Sequence, residues 1–109
     1  MHQEYDKVIP QQVQDGAQRR ILSYSGSLMM VEVEAKAGTV LTAHSHPHQQ
    51  ISYIAAGSFD VQDGEERYRV KAGDSIYFTP GVTHGMTALE DSRIVDVFTP
   101  IREDFLLMK

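Results

Sequence analysis

Hydrophobic and polar residues alternate over short stretches of this chain, and pairs ending in glycine interrupt the alternation. Met29, Val31 and Val33 share one parity, with Glu32 and Glu34 on the other, and Tyr68 and Val70 oppose Arg67 and Arg69. A period of two puts successive side chains on opposite faces, so each stretch predicts a strand with one buried face. Turn signals separate the stretches at Asp15-Gly16, Ser25-Gly26, Ala37-Gly38, Ala56-Gly57, Asp63-Gly64, Ala72-Gly73, Pro80-Gly81 and Glu90-Asp91. Short strands in a sandwich or barrel produce this rhythm. Asp63-Gly64 predicts a hairpin, with the positive φ of a type I′ turn. Two segments depart from the pattern. Residues 10–18 are polar and predict an irregular lead-in, and residues 102–108, after Pro100, predict one or two helical turns packed on the outside.

Composition narrows the chemistry. The 109 residues match the usual size of one domain, expected to span 1–109, and no repeat, linker or low-complexity tract divides them. The chain has no cysteine, so a metal would be held by nitrogen and oxygen, which directs attention to the five histidines. Ten basic residues against fifteen acidic ones give a net charge of −5, which disfavours capture of nucleic acid or an anionic membrane. No uncharged apolar run approaches ~18 residues, and a cytoplasmic protein is expected. An acidic small molecule remains a possible ligand, because a local arginine can override the global charge.

The histidines supply the first candidate site. His44 and His46 are two apart, so on an extended segment their imidazoles point to the same face. After Pro47 the strand resumes through Gln50, and His84 follows the turn at Pro80-Gly81. Three imidazoles and an amide oxygen suit one divalent ion, zinc, nickel, cobalt, manganese or iron(II), with one or two positions open for water or substrate. A lone histidine is more often a surface or hydrogen-bonded residue, the expectation for His2 and His48. A second candidate site lies near the C-terminus, where Asp96 and Phe98 share a parity opposite Val95 and Val97. A carboxylate in an apolar run needs a partner or a function. Arg102 is placed to reach over the barrel mouth and clamp a carboxylate through both prongs of its fork. The structural alternative pairs Asp96 with Arg102 or Arg93.

These residues resemble the motifs of the cupin superfamily. Its first motif runs glycine, five residues, His-any-His, three or four residues, glutamate, six residues, glycine. Here Gly38, His44-Ser45-His46, Gln50 and Gly57 meet every spacing, with glutamine in place of glutamate. The second motif, over 73–88, retains Gly73, Gly81 and His84 but has Thr79 and Ala88 in place of proline and asparagine. The resemblance covers about half the chain and implies an all-β jelly-roll barrel, here with a short C-terminal helix. A neutral amide ligand leaves the metal at its full divalent charge, which favours Lewis-acid chemistry and disfavours an Fe(III) state.

The segments 96–106, 44–50 and 16–22 are similar to the KdgF-type cupins of pectin degradation. That resemblance implies His44, His46, Gln50 and His84 as metal ligands, and Asp96, Phe98 and Arg102 as catalytic or substrate-contacting residues. The implied activity is ring opening of 4,5-unsaturated monouronates from pectin or alginate to linear keto acids. Arg19 and Arg20 are assigned no role, because an arginine pair is usually solvated surface. Another small-acid cupin enzyme, a dioxygenase or isomerase, and a non-catalytic ligand-binding cupin are the competing readings. Apolar residues on both parities, such as Ile51, Tyr53 and Ile54, exceed what one barrel interior needs and predict a homodimer.

Overall fold

The computed structural model describes residues 1–107. Among these, a 3₁₀ turn at Tyr5–Lys7 precedes ten strands: β1 (Gln11–Gln14), β2 (Ala17–Tyr24), β3 (Met29–Ala35), β4 (Val40–His44), β5 (Gln49–Ala56), β6 (Ser58–Asp63), β7 (Glu66–Lys71), β8 (Ser75–Phe78), β9 (His84–Ala88) and β10 (Ser92–Thr99). A single helical turn, α1 (Glu103–Leu106), follows. All pairings are antiparallel, in a six-stranded sheet of order β1-β2-β3-β10-β5-β8 and a four-stranded sheet of order β4-β9-β6-β7. This is the all-β jelly-roll expected. No helix among the described residues is long and apolar enough to cross a membrane.

The core follows from the alternation. Ile54, Phe59, Val61, Phe78 and Ile94 point inward from the two sheets and form one continuous buried cluster. Met29, Val31 and Phe98 form a second, against which Ile101 and Phe105 pack. Burying a side chain of this size contributes about 1.5–3 kcal/mol, so the inner faces hold the sheets together.

Two expectations are corrected. Residues 10–18 are not an irregular lead-in: β1 pairs with β2, Gln11 opposite Arg19 and Gln12 opposite Gln18. Such a strand at the sheet edge needs no apolar alternation, because neither of its faces has to fill the core. The hairpin at Asp63-Gly64 turns through Gly64 and Glu65, since Asp63 pairs with Glu66. Gly64 has φ 61° and Glu65 does not have a positive φ. That matches the glycine-first type II′ turn, whereas type I′ requires positive φ at both turn positions. The helical turn α1 has no buried residue and packs on the barrel from outside, as expected. Its Phe105 lines the cavity described below and packs edge-on against Phe98 with ring centres 5.7 Å apart. Met108 of the expected helical segment lies outside the described residues.

Candidate metal centre and acid-binding cavity

Three histidines converge at one end of the barrel. β4 ends on His44 and β9 begins on His84, and the two residues face each other in the ladder. Gly85 permits this approach, because a Cβ there would lie 2.9 Å from the Ala43 Cα. His46 lies two residues on from His44, beyond the last paired residue of β4 and before β5. The loop brings its ring back to the others. One ring nitrogen from each of His44, His46 and His84 lies within 4.8 Å of the other two, and the ring centres are 4.7–5.5 Å apart.

The donor set fits a divalent ion. His44 Nδ1 donates to the Thr42 carbonyl at 3.1 Å, and His84 Nδ1 to the Val82 carbonyl at 3.1 Å. With the proton on Nδ1, each Nε2 keeps a lone pair for a metal, the usual arrangement behind a histidine ligand. His46 Nε2 lies 2.9 Å from Gln50 Oε1. Ligands at about 2.1 Å from a metal and at right angles stand about 3 Å apart, so this pair has the spacing of adjacent donors in one coordination sphere. Burial pushes the His46 imidazole down to about 4 and lowers His84 as well. Neutral imidazoles are therefore present near pH 7. His46 Nδ1 and His48 Nδ1 are buried without a hydrogen-bond partner among the described residues.

Gln50 connects the histidines to the second candidate site. Its Nε2 donates to Ser52 Oγ at 2.9 Å and to Asp96 Oδ1 at 3.3 Å, and Ser52 Oγ donates to the same Oδ1 at 2.6 Å. The amide is thereby oriented with its oxygen toward His46. A glutamate in this position would have no N–H to offer Asp96 and would set a second negative charge beside it. Asp96 is buried on the inward parity of β10 with Phe98. Burial pushes its carboxyl up to about 6, against the lowering effect of the Ser52 and Gln50 hydrogen bonds. The partners of Asp96 are thus Ser52 and Gln50. Arg93 faces Glu32 at 3.7 Å instead.

Arg102 reaches the cavity, but its fork is engaged. Nε donates to Asp104 Oδ1 at 3.1 Å and Nη2 to Asp104 Oδ2 at 2.9 Å. The two-pronged carboxylate clamp expected of Arg102 therefore closes on a residue two positions away. The guanidinium carbon lies 4.2 Å from the Phe105 ring centre and 5.2 Å from that of Phe98. His48 donates from Nε2 to the Ile101 carbonyl at 3.1 Å, the hydrogen-bonded role expected of it. A cavity of about 210 Å³ holds these groups together; its walls include His44, Gln50, His84, Asp96, Phe98 and Arg102.

Sequence reasoning missed Ser52, Phe105 and Arg19 here. Ser52 shares its parity with Gln50 and Ile54, which marks it as inward-facing. Arg19 shares its parity with Ala17 and Ile21, and it too lines the cavity. Arg20, the other member of the pair, turns to the opposite face and meets Glu32 and Glu34.

The sequence and the fold are similar to those of known proteins. A family model described as a cupin domain matches residues 30–98. The pectin degradation protein KdgF of Dickeya dadantii is 43% identical over 94 residues, covering 84% of this chain and 86% of that one. The structure of KdgF from Halomonas sp. superimposes with a TM-score of 0.92 at 36% identity, covering 96% of this chain and 97% of that one. An RmlC-like cupin from Shewanella frigidimarina gives 0.92 at 30% identity, with 95% and 94% covered.

Proposed function

The chain belongs to the cupin family, as a KdgF-like cupin, and from that premise we propose that it opens 4,5-unsaturated monouronates into linear keto acids. The observation that carries this reading is the meeting, in one small cavity, of a histidine cluster with a buried carboxylate, a phenylalanine and an arginine.

The substrate is a cyclic hemiacetal with an enol-ether double bond between C4 and C5 and a carboxylate at C6. Opening it removes the proton of the anomeric hydroxyl, breaks the bond from C1 to the ring oxygen and leaves an aldehyde at C1. The electron pair passes to the former ring oxygen, C4 takes up a proton, and C5 becomes a ketone, so the reaction is an isomerisation with no atoms gained or lost. His44, His46, Gln50 and His84 would hold a divalent ion, which would supply Lewis acidity for the negative charge that develops on that oxygen. Asp96 moves the proton, and the Gln50 and Ser52 bonds that both end on Oδ1 hold it in one orientation. General acid–base catalysis of this kind contributes about 100- to 10,000-fold. Phe98 forms the apolar wall, and Arg102 attracts the substrate carboxylate.

The test is direct. Metal-loaded protein mixed with unsaturated galacturonate should accelerate loss of the enol-ether absorbance, and proton NMR should show the linear keto acid. Opening at the spontaneous rate would overturn the reading.

The same proposal includes a homodimer formed through the outer face of the six-stranded sheet. Met30, Ile51, Tyr53 and Tyr77 are each about half exposed there, and Ile51 pairs with Tyr77 across β5 and β8. Light scattering should return twice the chain mass, and Tyr53→Glu should halve it. A monomer at micromolar concentration would refute this part alone.

A further inference from the structure

The donors that meet at the metal centre bring no negative charge of their own, since three imidazoles and an amide are all neutral. A cation is costly to take out of water unless anions stand near it. Carboxylates just outside the ligand set therefore decide how firmly an ion is held. Asp96, bonded to Gln50, is one of them. Asp63 is another, and it comes from the other sheet. It ends β6 on the parity of the buried Phe59 and Val61, so its side chain turns inward. In the β6–β9 ladder it stands directly opposite His84, which in turn faces His44 on β4. Side chains paired in this way have Cβ atoms about 4.5–5.5 Å apart.

Tyr68 holds this carboxylate in place. Its hydroxyl donates to Asp63 Oδ2 at 2.8 Å, reaching diagonally from β7, where Tyr68 itself faces Val61. The tyrosine packs against the apolar cluster. Burial, and after it the hydrogen bond to Asp63, raises the hydroxyl above its ordinary pKa, so it remains a donor. A neutral donor orients a carboxylate without cancelling its charge. Asp60, two residues earlier on β6, shows the contrast: it turns outward and pairs with Arg69 at 3.0 Å in an exposed position. Burial is the largest influence acting on His84 and disfavours positive charge there, whereas the Asp63 carboxylate favours it. A clip between β6 and β7 needs only a hydrogen bond, which a neutral side chain at position 63 would supply. A carboxylate adds charge beside His84, and a cation at the histidines makes that charge favourable.

We propose that Asp63, oriented by Tyr68, is a positioning residue of the metal centre: it lies outside the ligand set, acts through His84 and sets how tightly a divalent cation is held. The proposal rests on the histidine-held ion of the reading above and not on the uronate, so it is tested without substrate. Affinity for Ni²⁺ is measured by competition with a chromophoric chelator, and the melting temperature of the metal-free protein is measured beside it. Asp63→Asn keeps an acceptor for Tyr68 and removes only the charge. It should weaken Ni²⁺ binding about tenfold, the lower end of what partners behind metal ligands contribute, and leave the metal-free protein as stable as wild type. The difference from wild type should narrow as salt is raised, because the lost interaction is electrostatic. Tyr68→Phe keeps the charge but frees the carboxylate to turn, and its Ni²⁺ affinity should fall between the two.

Asp60→Asn is the control, with the same change in net charge at an outward position of the same strand, and its Ni²⁺ affinity should stay within about twofold of wild type. An equal loss in Asp60→Asn and Asp63→Asn would trace the effect to net charge and overturn the proposal. Wild-type Ni²⁺ affinity in Asp63→Asn, with or without a lower melting temperature, would make the Tyr68–Asp63 bond a hairpin clip alone and overturn the proposal while the metal centre stands. Absence of Ni²⁺ binding to wild type would overturn both. Should Asp63→Asn fail to fold by circular dichroism, Asp63→Ser carries the same comparison, and failure of both to fold identifies Asp63 as a structural residue and overturns the proposal.

Discussion

The two ends of this barrel are built from the same strands, and they differ by a single step along the ladder. On the central pair β5 and β10, Ile54 faces Ile94, both buried in the apolar cluster. The next inward pair is Ser52 with Asp96, and the one after it is Gln50 with Phe98. On β9 the passage is from Met86 and Ala88 to His84. Alternation decides which residues face inward at both ends. It is chemistry that divides them: one end excludes water with large apolar side chains, and the other assembles polar groups that satisfy one another around a cavity. The apolar end should therefore govern stability and the polar end reactivity, with little exchange between them.

Removing the histidines tests the polar end most severely. His44→Ala with His46→Ala should take metal content from about one ion per chain to none by elemental analysis, and should abolish the thermal stabilisation that added Ni²⁺ or Zn²⁺ gives the wild type. Loss of two of the four donors leaves too few for a stable site. A double variant that still holds one ion would place the metal elsewhere.

Asp96→Asn keeps the shape of the cavity and should keep metal content, while accelerated opening falls by about 100-fold or more toward the spontaneous rate. Gln50→Glu sharpens the result, because Gln50 Nε2 is a donor to Asp96 as well as part of the metal-facing amide. A carboxylate there should hold a metal at least as well, yet it reduces the ion's positive charge and repels Asp96. Slower turnover with undiminished metal occupancy is expected. Wild-type turnover in both variants would defeat the proposed mechanism and leave the fold and the histidine cluster untouched.

Phe59→Ala probes the other end. Phe59 is fully buried in the apolar cluster, and truncating such a residue costs about 3–5 kcal/mol. Denaturant unfolding should show that loss while KM and kcat at a temperature where the variant is folded stay near wild type. A large change in kcat would mean that the two ends are mechanically coupled.

The spacing of turn signals and the parity of apolar residues made most of the strands legible, since both report local requirements of an antiparallel barrel. His44, His46, His84, Asp96, Phe98 and Arg102 could be named because each is a chemical type out of keeping with its position or part of a motif with fixed spacing. β1 was hidden because an edge strand of glutamines obeys no burial pattern. The frame of the β6–β7 turn was ambiguous because Asp63-Gly64 and Gly64-Glu65 both place a glycine in the loop. Arg19 was hidden by its neighbour: two adjacent arginines look like surface, although adjacent residues on a strand must face opposite ways. The Asp104 contact and the position of α1 at the mouth depend on how the chain leaves β10, which no periodicity reports.

The smallest expected effect is also a test of how the two kinds of burial combine at the polar end. In metal-free protein, burial lowers His46 to about 4 from an ordinary 6.5 and raises Asp96 to about 6 from 3.8. Between those histidine values the unfolded chain binds the proton and the folded chain does not, so His46 makes stability fall as pH falls. His84 is lowered too and acts in the same direction. Asp96 does the opposite: below about 6 the folded chain binds a proton that the unfolded chain does not take until nearer 3.8, so its contribution rises as pH falls. The opposed slope of Asp96 should make the wild-type melting temperature, measured in chelator, fall less steeply on acidification between about 6 and 4 than the histidines alone would make it fall. Asp96→Asn removes the compensating slope and leaves the histidines, so its melting temperature should drop more steeply on acidification over that range. Parallel curves for the two proteins would show that Asp96 is not held protonated by burial, and that the carboxylate is accommodated in the barrel in its charged form.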